Sequence, residues 1–436
     1  MSLDFDLGLG PPSLSCRTMS SSVPQRLLWL AGLCCLFSGS QPQDSLQRDE
    51  DEHDYGSMNY GFCESVYYNI FRLTFTLYQK SDSWTKDTNI LFSPVNIIVA
   101  SLIISLGAKN NTHNQILEGL QLNITEPTLY TLICMKQLLH NLLKNHKPQH
   151  LTIKSSIFLD QNLKLVDFFA NAIHWLNSIK PIPVNFNDTY RAQKQINEYV
   201  EDETQGKIVG LFKDLEKDKA FALMNYIFFQ GKEYDEAEAE HTLEEDFHVN
   251  KYRTVKVLMI NRRDIYLLYR EEELSTWVVA NPYRNEVIAI FMLPDQGKMK
   301  RLEETLNQNY FENIMRLLKV RTANVYFPKL AMSTTYDLEI ILSTLGITQA
   351  FSNEADLSGI TQDAPVKLNK ALQKTVLTFS NKSTKATRNT GLSEGNLTKV
   401  PTIRFDKPFL VFIKNEITGV PLIVGRVTNP TENSCL

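Results

Sequence analysis

Residues 95–106 read Val-Asn-Ile-Ile-Val-Ala-Ser-Leu-Ile-Ile-Ser-Leu, apolar nearly all round a helix. Ser93 stands at the cap position and Pro94 in the first turn, which marks the helix start. A helix with no polar face is expected to be buried. Helical spacing also marks 64–79, with Val66, Ile70, Leu73 and Leu77 in register, and 192–203, with Ile196, Tyr199 and Val200 on one face. Residues 128–145 and 165–176 read as further helices. Strands are expected at 151–159, 220–230, 323–327, 366–379 and from 403 onward. Residues 276–280 and 287–293 form a pair around a turn region at Asn281-Pro282. A hairpin joins 409–414 to 420–427 through Glu416-Ile417-Thr418-Gly419. Helices crowd the first half and strands the second. That segregation argues an α+β fold with large mixed or antiparallel sheets, not a doubly wound one.

The chain has 436 residues, 43% of them hydrophobic, with a net charge of -4. That length suits one large domain or two smaller ones. The weak negative charge and the lack of a dense Lys/Arg block give no reason to expect nucleic acid. Arg26 precedes an apolar run from Leu27 to Phe37, and Ser38 and Ser40 supply small residues for cleavage. Residues 1–40 therefore read as a leader holding a secretory signal peptide that starts at Met19. Residues 41–60 are polar, and Asp49-Glu50-Asp51-Glu52 makes them an acidic, disordered arm. No later stretch is apolar enough to span a membrane. Beyond the leader, Cys63, Cys134 and Cys435 are an odd number, so at least one is free or paired with another molecule. Stability is thus expected from the core and not from disulfide staples. Sequons start at Asn110, Asn123, Asn187, Asn381 and Asn396, where glycans would sit on a secreted protein's surface.

Residues 380–402 are a long polar segment between two apolar runs. A structureless loop of that length inside a compact domain is usually functional or disordered. Motifs for metal, nucleotide or serine-hydrolase chemistry are absent, and His140, His146 and His150 read as solvated surface. No enzymatic activity, metal or cofactor is expected.

Other segments run together as long, ordered motifs. They include Asn89-Ile-Leu-Phe-Ser-Pro-Val-Asn96, Met224-Asn-Tyr-Ile-Phe-Phe-Gln-Gly-Lys232, Phe351-Ser-Asn-Glu-Ala-Asp-Leu-Ser-Gly359 and Pro421-Leu-Ile-Val-Gly-Arg-Val-Thr-Asn-Pro430. With them the chain resembles the serpins, and within these the alpha-1-antitrypsin group. The resemblance implies a single domain at 61–436, with three β-sheets, eight or nine helices and an exposed reactive loop at 380–402. It implies serine-type endopeptidase inhibition: the loop is bait for a secreted serine protease and, once cut, inserts as a strand into the largest sheet. The family register places the bait bond at Leu397-Thr398, and Leu397 suits an apolar primary pocket of chymotrypsin or elastase type.

The hinge departs from the family pattern. Thr384 and Ala386 fit; Asn381, Ser383 and Arg388 do not. Strand periodicity would bury Thr384, Ala386, Arg388 and Thr390 on insertion. An unpaired Arg388 there costs on the order of several kcal/mol. Glycans on Asn381 and Asn396 would sit at the hinge and beside the bait bond. The residues that control sheet opening in the family correspond to Ser93, Asn96, Asn225, Glu233 and Gln373. Of these, Asn96 departs from a usual Ser, Glu233 from Trp and Gln373 from His, and Asn96 and Gln373 are expected to pair. Two readings follow. One is a suicide inhibitor with Leu397 as the recognised residue. The other is a serpin whose inhibition is weak or lost, acting as a protease substrate or carrying a small hydrophobic ligand. Either is expected to be a monomer without a membrane anchor.

Overall fold

The computed structural model describes residues 60–84, 88–122, 128–144, 150–176, 179–217, 221–231, 242–283, 286–362, 365–379 and 400–432. The first part runs α1 (Glu64–Lys80), β1 (Ile90–Phe92), α2 (Pro94–Gly107), α3 (Asn110–Gly119), α4 (Thr128–Lys144), β2 (Leu151–Asp160), α5 (Asp167–Trp175), β3 (Ile179–Val184), α6 (Thr189–Glu203) and β4 (Phe221–Gly231). There follow β5 (Thr242–His248), β6 (Thr254–Glu271), β7 (Thr276–Tyr283), β8 (Val287–Pro294), α7 (Met299–Thr305), α8 (Gln308–Leu317), β9 (Lys319–Pro328), β10 (Leu330–Asp337) and α9 (Leu338–Thr344). The chain closes with β11 (Leu368–Phe379), β12 (Thr402–Arg404), β13 (Phe409–Asn415) and β14 (Pro421–Val427). The described residues all fall in one compact unit.

A five-stranded sheet has the order β10-β11-β4-β2-β3. A nine-stranded ladder has the order β1-β14-β13-β8-β7-β6-β9-β12, with β5 also on β6. The 18-residue β6 joins two parts of that ladder. Its first half pairs with β5 and its last residues with β7, while β9 takes the other edge. The ladder is therefore two sheets fused through β6, and the fold is the expected α+β arrangement of three sheets, with nine α-helices among the described residues.

Every residue of α2 is buried. The helix packs on β2, β4 and β11 of one sheet and on β14 of the other, so its unbroken apolar surface has a partner on each side. The five-stranded sheet separates two cores. Odd residues of β4 and β11, such as Leu223, Ile227, Ala371 and Leu377, face the main core with α2. Even residues, such as Met224, Phe228, Leu372 and Val376, face a smaller core completed by Ile196 and Val200 of α6. Both faces of β4 are covered, which is why it reads as a continuous apolar run.

Two expectations are corrected. Asn281-Pro282 is not a turn: it lies inside β7, with Pro282 opposite Ile288. β6 pairs with β7 only along Thr276–Ala280, so the missing Pro282 N–H costs no ladder bond there. The fold is also stapled once. Cys63 and Cys134 form a disulfide between residues 71 apart, with Cα atoms 5.5 Å apart. Closing a loop of that size removes unfolded-chain entropy worth about 4 kcal/mol. Counting cysteines establishes a leftover thiol without excluding a bridge; Cys435, outside the described residues, is the one left over.

Candidate functional site

β11 and β4 are parallel neighbours although about 150 residues separate them in sequence. They are paired from Leu368↔Phe221 to Phe379↔Gly231, with Gln373 opposite Asn225. Parallel pairing is slightly weaker per residue than antiparallel. A strand returning from the end of β11 and entering this seam would run antiparallel to both neighbours. The seam is thus closed along its length yet has a better-paired alternative.

The main-core side of the seam is polar at its middle. Ser93 caps α2 by accepting from Asn96 N at 3.3 Å. Its carbonyl accepts Ile97 N at 3.1 Å and Gln373 Nε2 at 2.6 Å. Both lone pairs of that oxygen are used, and β11 is pinned to the start of α2. Ser155 on β2 donates to Asn225 Oδ1 at 2.7 Å. Thr334 on β10 donates to the Leu91 carbonyl. The expected Asn96–Gln373 pair is not formed: Gln373 Nε2 donates to the Ser93 main chain instead. Both side-chain polar atoms of Asn96 find no hydrogen-bond partner among the described residues, nor do Asn225 Nδ2, Gln373 Oε1 and Thr375 Oγ1. All four side chains are fully buried. Leaving such groups unmade costs roughly 1–3 kcal/mol each. Five buried side-chain polar atoms without a partner among the described residues thus lie together here.

At the upper end, Phe379 lies over Gly231, where an added Cβ would come within 2.4 Å of the ring. Phe379 also packs on Phe229, Tyr283, Phe291 and Phe327. Burial, chiefly, holds the Tyr283 phenol well above its ordinary range, so it stays neutral. A cavity of about 70 Å³ opens here, lined among others by Arg262, Asn281, Tyr283, Phe291, Phe379 and Phe405. On the opposite face, Lys207 lies 3.7 Å from the Phe228 ring centre, and burial lowers its ammonium pKa.

The structure thus brings Ser93, Asn96, Asn225 and Gln373 together. Glu233, the hinge residues Asn381, Ser383, Thr384, Ala386 and Arg388, and the bond Leu397-Thr398 lie outside the described residues. So do the sequons at Asn123, Asn381 and Asn396. Asn187 is exposed in the turn before the α6 cap residue Asp188. Asn110, also exposed, has φ 51°, a conformation Asn tolerates, and its Nδ2 donates to Asp356 Oδ2 at 2.7 Å. Sequence reasoning missed Ser155 and Thr375. Ser155 is a polar break in an apolar strand, and Thr375 shares the Gln373 face by the strand's period of two. No cluster able to hold a metal is found among the described residues, and no described helix is long and apolar enough to cross a membrane.

The family model for serpins (serine protease inhibitors) matches residues 69–430. The chain is 43% identical over 417 residues to alpha-1-antiproteinase of Callosciurus caniceps, covering 95% of this chain and 100% of that one. It is 43% identical over 420 residues to alpha-1-antitrypsin-related protein of Homo sapiens, with the same coverage. Among solved structures it is similar to human thyroxine-binding globulin complexed with thyroxine: TM-score 0.76, 31% identity, 85% of this chain and 100% of that one. The parallel seam with its buried polar cluster, the α+β architecture and matches along nearly the whole chain agree: this chain belongs to the serpin family, the serine protease inhibitors.

Proposed function

We propose that this secreted, non-enzymatic serpin offers Leu397-Thr398 to a chymotrypsin- or elastase-like protease and inhibits it weakly or not at all, being cut as a substrate. One observation carries the reading. The face of the seam that would receive Thr384, Ala386 and Arg388 is lined by neutral amides and hydroxyls, and neither β4 nor β11 carries an Asp or Glu. Arg388 entering there meets acceptors but no counter-charge, and a buried charge left unpaired costs on the order of several kcal/mol. Trapping a protease requires insertion to outrun hydrolysis of the acyl-enzyme, so a slower insertion diverts the reaction to cleavage.

Carriage of a small hydrophobic ligand has less support. The similar thyroxine-binding globulin is complexed with thyroxine. The cavity beside Phe379 is about 70 Å³, roughly half the ~150 Å³ that admits benzene.

The test is incubation with chymotrypsin and with elastase, followed by denaturing electrophoresis. Cleaved protein with little covalent complex is expected, and Arg388→Thr should raise the complex fraction. A near one-to-one SDS-resistant complex with the unaltered chain would overturn the proposal. Repeating the assay after enzymatic removal of N-glycans separates sugar at Asn381 and Asn396 from the hinge sequence.

A further inference from the structure

We propose that the Cys63–Cys134 disulfide is a strap that resists opening of the β4–β11 seam. The inference rests on the reading that this seam is where a strand would enter. Admitting one requires β4 and β11 to part by a further strand spacing, about 4.8 Å. β2 and β3 lie on the β4 side of that gap. α4 belongs with them. It packs on β2, and Lys136 of α4 donates to the Trp175 carbonyl at 2.8 Å, tying it to α5, which packs on β3. Cys134 therefore travels with the half that moves.

Cys63 belongs to the other half. It caps α1, and α1 packs on α8 and on β14 of the nine-stranded ladder. Around the bridge, the Tyr130 and Phe62 rings lie 5.0 Å apart, the Tyr130 hydroxyl donates to the Phe62 carbonyl, and Tyr67 donates to the Cys134 carbonyl at 3.4 Å. Those contacts can part and reform; the covalent bond cannot. Its Cα–Cα distance of 5.5 Å is within about 1.3 Å of the ~6.8 Å limit for a disulfide. That slack is far less than one strand spacing. Opening must therefore peel α4 from β2 or drag the start of α1, and either raises the barrier. Cys63 and Cys134 act as positioning residues: they set how readily the seam opens without touching loop or protease.

The test is amide hydrogen exchange on the full chain carrying Cys435→Ser, with and without Cys63→Ser and Cys134→Ser. Loss of the strap should speed exchange about tenfold or more in β4 and β11, with β13 and β14 nearly unchanged, the pattern of sub-global opening. Equal acceleration in both regions, or none at the seam, would overturn the proposal and leave the bridge a general stabiliser. Should the serine variants fail to fold, the Cys435→Ser protein treated with a water-soluble phosphine gives the same comparison. The S–S bond takes up two electrons and two protons to become two thiols, and the phosphine gains an oxygen from water. This readout needs no inserted strand. Failure of loop entry is seen separately in the protease assay.

Discussion

The β13–β14 pair and the β4–β11 pair are both central and buried, but they are built differently. β13 and β14 are antiparallel, joined by a short hairpin, and almost wholly apolar. Among the described residues, none of their side chains has a buried polar atom without a partner. β4 and β11 are parallel, come from distant parts of the chain, and carry Asn225, Gln373 and Thr375 with polar atoms that find no partner among the described residues. One pair is a settled core. The other is a closed seam that holds buried polar atoms without a partner among the described residues.

The largest predicted effect breaks the settled side. Phe412 is buried with its ring 4.9 Å from Phe311 and 6.2 Å from Phe75. Phe412→Ala should cost about 3–5 kcal/mol in denaturant unfolding. A smaller and sharper test uses one substitution at two places. Thr276 on β7 donates to the Leu274 carbonyl at 3.0 Å, whereas buried Thr375 Oγ1 donates to nothing described. Thr276→Val should destabilise by about 1 kcal/mol and Thr375→Val should stabilise by about the same. Matching signs at the two sites would remove the contrast between a satisfied hydroxyl in the nine-stranded ladder and an unsatisfied one at the seam.

Local signals made much of this legible. Ser93-Pro94 and the all-apolar run behind it gave a capped, buried α2, and the Thr418-Gly419 turn gave the β13–β14 hairpin. β6 was not read, because Asn261, Arg263, Asp264 and Ile265 are all exposed and erase the period-two pattern. Pro282 passed for a turn because which edge of a strand is paired is a tertiary fact. At the site, the serpin resemblance singled out Ser93, Asn96, Asn225 and Gln373. The actual bond, from Gln373 to the Ser93 carbonyl, depends on main-chain atoms that no sequence pattern displays. The disulfide partner was hidden for the same reason: which cysteine approaches Cys63 depends on how α1 and α4 pack.

The central claim is that the seam is poised to take a strand and that Arg388 keeps the loop from being one. The most direct measurement is the melting temperature before and after cleavage at Leu397-Thr398. Without insertion the cleaved form should shift by less than about 5 °C, the equivalent of about 4 kcal/mol in a domain of this size. A rise of roughly 20 °C or more would mean that the loop has entered, Arg388 included, and would contradict the account.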